Sequence, residues 1–376
     1  MDFGFTDEQL EFRDSVRRFA VGELECDGGE GFSHDLWRRC AKFGIQGLAV
    51  PEEYGGSAAD PVTVALAMEA LGYGCRHGSL PFSLGAQMWA CQHPLVRFGT
   101  AEQKHHYLRE LCDGTMIGAH AMSEPDSGSD AFALRTTATP EAGGWRLDGT
   151  KTFVTNAAVA DVFIVFARTD PGAGIGGISA FLVPRDTAGL AVGPPMNKLG
   201  LHASSLAQLS LDGCRVGEDH LLGRPGAGMA IFSAAMEWER SLILAPAVGT
   251  LERQLERCLD HVRTREQFGR PIGAFQAVSH RIVGMKRRLE AARLSLYRAA
   301  WDLTAERPSG TSGALAKLAI SDALVESGLD AVHIHGGYGY LEDLEFAGQL
   351  RDAVASRIYS GTSELLSDLV ARKLGI

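Results

Sequence analysis

One acidic residue stands in a stretch of chain that offers it almost no polar company. Glu239 lies within residues 229–248, a segment that is apolar almost throughout and carries charges only at Glu237, Glu239 and Arg240. A helix of this composition is expected to be buried. The positions three and four residues away from Glu239 on that helix are all apolar: Ala235, Met236, Leu242 and Ile243. We therefore predict that desolvation raises the pKa of Glu239.

A carboxylate held in an apolar pocket is suited to act as a general base, because desolvation makes it a stronger proton acceptor than the same group in water. The alternative is a structural glutamate paired with a cation from another helix, and the residues alone leave both readings open. Glu237 is different, because it shares its helix face with Ser233, Arg240 and Ser241. We predict that Glu237 is a paired structural acid.

Two other patterns that could carry chemistry are set aside. Residues 172–177 satisfy G-x-G-x-x-G, but they follow a polar turn at 168–171 and lead into an apolar run. A dinucleotide fingerprint follows a strand and opens a helix, so we predict a hairpin loop here instead. The histidines at 105–106 and at 333 and 335 lack ligand spacing and carboxylate neighbours, so no metal is predicted.

The elements that position these residues fall into three groups. From Thr6 to about Gly118 the apolar spacing is helical, with start signals at Thr6 and Thr100 and a turn at 27–29. Short apolar runs bounded by Gly, Pro and Asp then predict strands up to about Val216. Long helical patterns return after Met229, at 251–264, 276–305 and 312–333.

These patterns predict an α+β multidomain fold. We expect an N-terminal α-helical domain at 1–118, a β domain at 119–226 and a C-terminal four-helix-bundle domain at 227–376. Because no long helices interleave the strands, an antiparallel barrel or sandwich is favoured over a doubly wound parallel sheet.

Composition narrows the classes of function. The 376 residues are 45% hydrophobic and 22% charged, as in an average globular protein. A net charge of -10 would repel a phosphate backbone, so no nucleic-acid partner is expected. Seven scattered cysteines without a C-x-x-C motif, an acidic N-terminus and the lack of a long apolar run predict a cytoplasmic protein with reduced thiols and no membrane span.

Several blocks, in order along nearly the whole chain, resemble the acyl-CoA dehydrogenase family. The blocks are residues 121–130 (AMSEPDSGSD), 151–156 (KTFVTN), 198–200 (KLG), 264–272 (TREQFGRPI), 336–340 (GGYGY), 351–353 (RDA) and 361–364 (GTSE). The family shows the same order of helical, β and helical domains. It binds FAD and removes hydrogen from the α and β carbons of an acyl thioester, with a carboxylate taking the α proton.

The resemblance places two sets of residues on the cofactor. Ser123 and Thr155 would hydrogen-bond the flavin ring, Phe153 would pack on it and Ser129 would meet the FAD phosphates. Met122, Thr362 and Glu364 belong to the same site by resemblance. A second set would reach the FAD of a neighbouring subunit, which implies a homodimer or homotetramer: Arg265, Gln267, Phe268, Gln276, Gly336 and Gly337.

The chain departs from many relatives at the base. Those relatives carry a glutamate immediately before the Gly-Thr pair, where this chain has Ser360. In isovaleryl-type members the glutamate instead precedes an arginine in the first long helix after the β domain, and Glu239 followed by Arg240 matches that placement. The resemblance thus agrees with the helical-face argument for Glu239. Ser360 and Arg240 are expected to line the substrate site, with the backbone amide at 360 bonding the thioester carbonyl.

The function expected is FAD-dependent α,β-dehydrogenation of a short, branched or cyclic acyl thioester, presented as acyl-CoA or on an acyl- or peptidyl-carrier protein. Electron-transferring flavoprotein or oxygen would reoxidise the flavin. Two alternatives stay open: a flavin-dependent oxidase or monooxygenase on the same scaffold, and a flavin-free binding protein without catalytic activity.

Overall fold

The computed structural model describes residues 4–24, 31–305 and 311–376. The turn predicted at 27–29 and one of the seven cysteines, Cys26, lie outside these ranges. The first third is helical, as predicted, and a π-helical turn at Met88–Gln92 joins its fourth and fifth helices. Its helices are α1 (Asp7–Glu23), α2 (His34–Phe43), α3 (Pro61–Gly74), α4 (Ser79–Gln87), α5 (His93–Phe98) and α6 (Ala101–Asp113).

Both predicted helix starts are confirmed. Thr6 accepts a hydrogen bond from the backbone of Gln9, whose side chain accepts one in return from the backbone of Thr6. Thr100 and Gln103 form the same reciprocal pair at the start of α6. Each pair satisfies amide groups that a helix start otherwise leaves without a partner.

The middle of the chain forms one eight-stranded sheet in the order β6-β7-β3-β2-β4-β5-β8, with β1 paired to β4. Most pairs are antiparallel, as predicted, but β1–β4 and β2–β4 are parallel. Residues 172–177 lie in the loop between the antiparallel strands β4 and β5, so the hairpin predicted there is confirmed. The strands are β1 (Gly118–Ala121), β2 (Thr137–Glu141), β3 (Gly144–Thr155), β4 (Val162–Arg168), β5 (Ile178–Pro184), β6 (Leu190–Val192), β7 (Leu206–Gly217) and β8 (Leu221–Leu222).

The last third returns to helices, with one small hairpin between the second and the third of them. That hairpin pairs β9 (Glu266–Gln267) with β10 (Arg270–Pro271). The helices are α7 (Gly228–Leu242), α8 (Ala245–Thr264), α9 (Gln276–Thr304), α10 (Ser312–His335), α11 (Glu345–Ala355) and α12 (Ser363–Leu374). The domain limits at 118 and 226 stay a prediction.

The N-terminal helices pack directly on the C-terminal bundle, and two glycines make this possible. A Cβ added at Gly72 on α3 would lie 2.0 Å from the carbonyl oxygen of Pro246 on α8. A Cβ at Gly249 on α8 would lie 2.0 Å from the carbonyl oxygen of Glu69 on α3. Only glycine allows two backbones to approach this closely. In the described part of the chain, no helix is long and apolar enough to cross a bilayer.

Candidate active site

Glu239 lies in the last turn of α7, and its side chain reaches a turn far along the chain. The hydroxyl of Ser360 donates a hydrogen bond of 2.5 Å to Oε1 of Glu239. Glu239 as a whole residue is half-buried, and burial of its carboxyl group raises the pKa, opposed by the Ser360 hydroxyl and by the charges of Arg240 and Lys317. The predicted rise of the Glu239 pKa is therefore confirmed, and desolvation is its largest cause.

The nearby cations do not form an ion pair with Glu239. Among the described residues Glu239 has no salt bridge, and Arg240 and Lys317 each donate instead to a backbone carbonyl of the turn. Nε of Arg240 donates to the carbonyl oxygen of Ser360 at 3.2 Å. Nζ of Lys317, from α10, donates to the carbonyl oxygen of Gly361 at 2.7 Å. This arrangement favours the interpretation of Glu239 as a general base over its interpretation as a structural glutamate in an ion pair.

The turn that meets Glu239 has an unusual backbone. Ser360 has φ = 57° and Gly361 has φ = 97°, so two successive residues are left-handed. For serine this conformation is uncommon and costs free energy. The amide N–H of Ser360 donates to no acceptor among the described residues, whereas its carbonyl is engaged by Arg240. The N–H groups of Gly361 and Thr362 have no acceptor among the described residues either, so the turn that bonds Glu239 keeps three backbone donors free.

The prediction for Glu237 is wrong. No salt bridge to its side chain occurs in the described part of the chain, and Arg240 turns to Ser360 instead. The backbone carbonyl of Glu237 accepts a hydrogen bond from Ser241. Arg240 does not pair with Glu237 because its acceptor, the Ser360 carbonyl, comes from another element of the fold.

The residues predicted for the flavin ring meet where β1 ends and β3 runs past it. The backbone N–H of Thr152 donates to the carbonyl of Ser123 at 2.9 Å. Nζ of Lys151 donates to the carbonyl of Met122 at 3.1 Å and pairs with Glu124 at 2.7 Å, fully buried. The segment that carries Met122 and Ser123 is thus tied to β3, the strand that carries Phe153 and Thr155.

Phe153 has the conformation of an exposed bulge. It has φ = 54°, and the pairing of β3 with β7 shifts register between Lys151 and Val154. Its side chain is 65% exposed, which is unusual for an aromatic residue in a strand between two others. β-Bulges re-aim side chains and are frequent next to active sites. A planar ring system could be covered by this side chain.

The other predicted ring-side residues are placed less tightly. Ser129 lies exposed in the loop after β1, where the hydroxyl of Ser127 donates to the carbonyl of Asp130 at 2.6 Å. Thr362 caps α12 by accepting a hydrogen bond from the backbone of Leu365. Glu364 is exposed in the first turn of α12.

Four of the six residues in the second predicted set line a groove of about 570 Å³. Arg265, Gln267, Gly336 and Gly337 line it, and all of its lining residues lie between 261 and 341. Phe268, at the tip of the β9–β10 hairpin, is 92% exposed, and Gln276 starts α9 with an exposed side chain. The two predicted sets therefore form two separate clusters within one chain.

The groove fits the chemistry of an FAD adenine and pyrophosphate. Gly336 has φ = 60°, and a Cβ added at Gly336 or Gly337 would meet no atom within 4 Å. Both glycines thus leave open space that any other residue would partly fill, which suits close approach of a ligand to the backbone. A guanidinium at Arg265 and an amide at Gln267 are suitable partners for phosphate oxygens and polar ring atoms.

Sequence reasoning missed Lys317, although a signal was present. Lys317 is the one charged residue within residues 314–320, an otherwise apolar run of α10. A lysine in such a run is either buried with its apolar neighbours or leaves those neighbours on an exposed face, and both outcomes are unusual. The structure buries it completely beside Gly361.

Comparisons with known proteins agree with this geometry. The models of the acyl-CoA dehydrogenase N-terminal, middle and C-terminal domains match residues 6–115, 119–214 and 226–375. The L-prolyl-[peptidyl-carrier protein] dehydrogenase of Pseudomonas fluorescens is 42% identical over 378 residues, covering 100% of both chains.

Two solved structures are similar over almost the full length. The crystal structure of the prolyl acyl carrier protein oxidase AnaB has a TM-score of 0.98 at 43% identity, covering 99% of this chain and 100% of that one. The structure of PigA with FAD and proline has a TM-score of 0.97 at 40% identity, covering 100% of this chain and 99% of that one.

Proposed function

This chain belongs to the acyl-CoA dehydrogenase family, and on that premise we propose that it dehydrogenates an L-prolyl group held as a thioester on a peptidyl-carrier protein. As a member of the family it is an FAD-dependent oxidoreductase that dehydrogenates acyl thioesters at the α and β carbons. The finer assignment to a prolyl thioester is supported by relatives and structures named for prolyl carrier-protein oxidation that match the whole chain.

The observation that carries the proposal is the contact between Glu239 and Ser360. The carboxyl group is desolvated, accepts a hydroxyl hydrogen bond and has no ion pair among the described residues. We assign it the role of the base that takes the proton from the α carbon. A desolvated carboxylate has a pKa closer to neutral and is therefore a more effective proton acceptor at working pH.

The backbone N–H of Ser360 supplies the complementary donor. It has no acceptor in the described part of the chain, so it is free to donate to the carbonyl oxygen of a thioester. Charge develops on that oxygen as the α proton leaves, and a fixed donor stabilises it. The base then comes from α7 and the backbone donor from the turn before α12, and the hydrogen bond of the Ser360 hydroxyl to Glu239 joins these two elements.

The FAD, when bound, accepts the hydride equivalent from the β carbon. Met122, Ser123, Ser129, Phe153, Thr155, Thr362 and Glu364 are proposed to hold its ring side within the subunit. The groove of Arg265 and Gly336 is proposed to hold the far end of a neighbouring subunit's FAD, which requires a homodimer or homotetramer. Light scattering on the purified holoprotein measures this, and a monomer that retains its FAD would contradict it.

The acceptor that takes electrons from the reduced flavin is a separate part of the proposal. Electron-transferring flavoprotein and oxygen are the two acceptors considered, and the similarity to a protein named as an oxidase supports oxygen. The retained carboxylate counts against a monooxygenase, and family membership sets aside the flavin-free binding protein.

Anaerobic flavin reduction tests the proposal without assuming an acceptor. Purified holoprotein is mixed with L-prolyl carrier protein, L-prolyl-CoA, isovaleryl-CoA or butyryl-CoA, and the loss of flavin absorbance is followed. We expect the fastest bleaching with L-prolyl carrier protein. Faster bleaching by isovaleryl-CoA or butyryl-CoA would overturn the prolyl assignment, and equal rates with the two prolyl donors would overturn the carrier assignment. Admitting air afterwards distinguishes the acceptors, because only an oxidase recovers its colour within a turnover time.

A further inference from the structure

We propose that Lys317 is a positioning residue for the base: through the carbonyl of Gly361 it holds the turn that sets Ser360 against Glu239. This inference rests on the proposed function, because it takes Glu239 as the base. Lys317 itself touches neither Glu239 nor, by this proposal, the substrate.

The surroundings of Lys317 are unfavourable for a structural lysine. Lys317 is 0% exposed, and its Nζ lies 5.8 Å from the ring centre of Tyr359. Within the described residues it has no ion pair, and its hydrogen bond goes to one backbone carbonyl at 2.7 Å. The ring of Tyr359 and the more distant carboxylates compensate the charge in part, yet burial outweighs them and lowers the pKa of Lys317. An apolar residue of similar length would cost less, which indicates that the position serves the site.

The bond acts on a turn that needs to be held. Ser360 is a non-glycine residue with φ = 57°, a conformation that persists only when its surroundings determine it. Arg240 holds the carbonyl of Ser360, and Lys317 holds the next carbonyl along the chain, that of Gly361. With two consecutive carbonyls held by cations, the hydroxyl of Ser360 stays on Oε1 of Glu239.

The charge of Lys317 has a second effect on the base. The charged groups around it are Arg240 and Glu239 on α7, Glu364 on α12 and Asp322 on its own helix. Burial, followed by the charge of Arg240, lowers the pKa of Lys317 to about 8, so it is a cation at neutral pH. The positive charge of Lys317 favours the ionised form of Glu239 and opposes the rise in the Glu239 pKa. Removal of the charge should therefore raise the Glu239 pKa further.

Three variants test the inference. Lys317→Met removes both the charge and the donor, and Lys317→Gln keeps an N–H donor without the charge. Ser321→Ala removes a buried hydroxyl on the same helix, whose one hydrogen bond within the described residues goes to the carbonyl of Leu318. The measurements are FAD content, thermal unfolding and the anaerobic bleaching rate with L-prolyl carrier protein from pH 6 to 9.

We expect all three variants to keep FAD. Bleaching at pH 7 should fall roughly 10- to 100-fold in Lys317→Met, less in Lys317→Gln and not in Ser321→Ala. The acidic limb of the pH profile should move to higher pH in both Lys317 variants, because each loses the charge. An unmoved limb, or equal rates in all three variants, would overturn the inference. If Lys317→Met loses its flavin, the bleaching rate of Lys317→Gln and the acidic limb of its pH profile decide whether the inference holds.

A double variant separates positioning from a general loss of packing. If Lys317 acts through the turn, Ser360→Ala should add little to the loss already present in Lys317→Met. Full additivity of the two losses would contradict the inference. The Glu239→Gln variant distinguishes failure of the proposed function from failure of this inference. Undiminished bleaching in Glu239→Gln refutes the proposed function. If Glu239→Gln loses bleaching but the Lys317 variants bleach at the wild-type rate, only the role of Lys317 is refuted.

Discussion

Ser360 and Glu239 lie 121 positions apart and share a hydrogen bond of 2.5 Å from hydroxyl to carboxylate. Ser360 occupies the position at which, by resemblance, many family members carry their base. In this chain the position holds a hydroxyl that donates to the base on α7 instead. The contact joins the first helix after the β domain to the turn before the last helix.

The Glu239→Gln variant should keep its FAD and its affinity for substrate but lose bleaching by roughly 10²- to 10⁴-fold, because an amide cannot accept the α proton. Stopped-flow absorbance under anaerobic conditions measures the loss. Glu237→Gln is the matched control, since it makes the same change two residues earlier on α7 and should bleach normally. Equal losses in both variants would show that α7 packing, not the base, was disturbed.

The Ser360→Ala variant should shift the pH dependence rather than abolish the reaction. The Ser360 hydroxyl favours the ionised carboxyl, so its loss raises the pKa of Glu239 and moves the acidic limb of the bleaching rate to higher pH. At neutral pH the rate should fall by about tenfold, well short of the loss in Glu239→Gln. Rate profiles of the wild type and the variant measure the shift, and superimposable profiles would rule out a contribution from the hydroxyl.

Arg265→Ala should weaken FAD retention, because Arg265 lines the groove assigned to the pyrophosphate side of the cofactor. Loss of one charge-assisted hydrogen bond should lower affinity roughly 10- to 100-fold. The molar ratio of FAD to protein after gel filtration measures it without any turnover. Arg263→Ala, an exposed arginine on α8 outside the groove lining, is the control. The groove assignment fails if the two variants retain FAD equally.

Lys151→Met should destabilise the fold by about 3 to 5 kcal/mol, because it leaves the buried carboxylate of Glu124 without its cation. Urea unfolding measures the change. Adding Glu124→Gln should recover part of the loss, since no uncompensated charge then remains. Lys286→Met, which removes a lysine paired with Glu290 on an exposed helix surface, should cost under about 1 kcal/mol. Similar costs for the two lysines would contradict the role given to burial.

Local chemistry was enough to determine much of this protein. The helix starts at Thr6 and Thr100, the hairpin at 172–177 and the desolvation of Glu239 all follow from residues within a few positions of one another. Hydrogen-bond caps, turn residues and helical faces act over that range, so sequence reasoning reaches them.

Tertiary structure alone decided what surrounds the base. Ser360 bonds Glu239, while Arg240 and Lys317 bond the carbonyls of Ser360 and Gly361; these bonds join positions 121, 120 and 44 residues apart. No local spacing encodes such contacts, because they depend on how α7, α10 and the turn before α12 pack together. The pairing predicted for Glu237 failed for the same reason: a long arginine side chain bonds whichever acceptor the folded chain brings within reach, and here that acceptor is a carbonyl more than a hundred residues away.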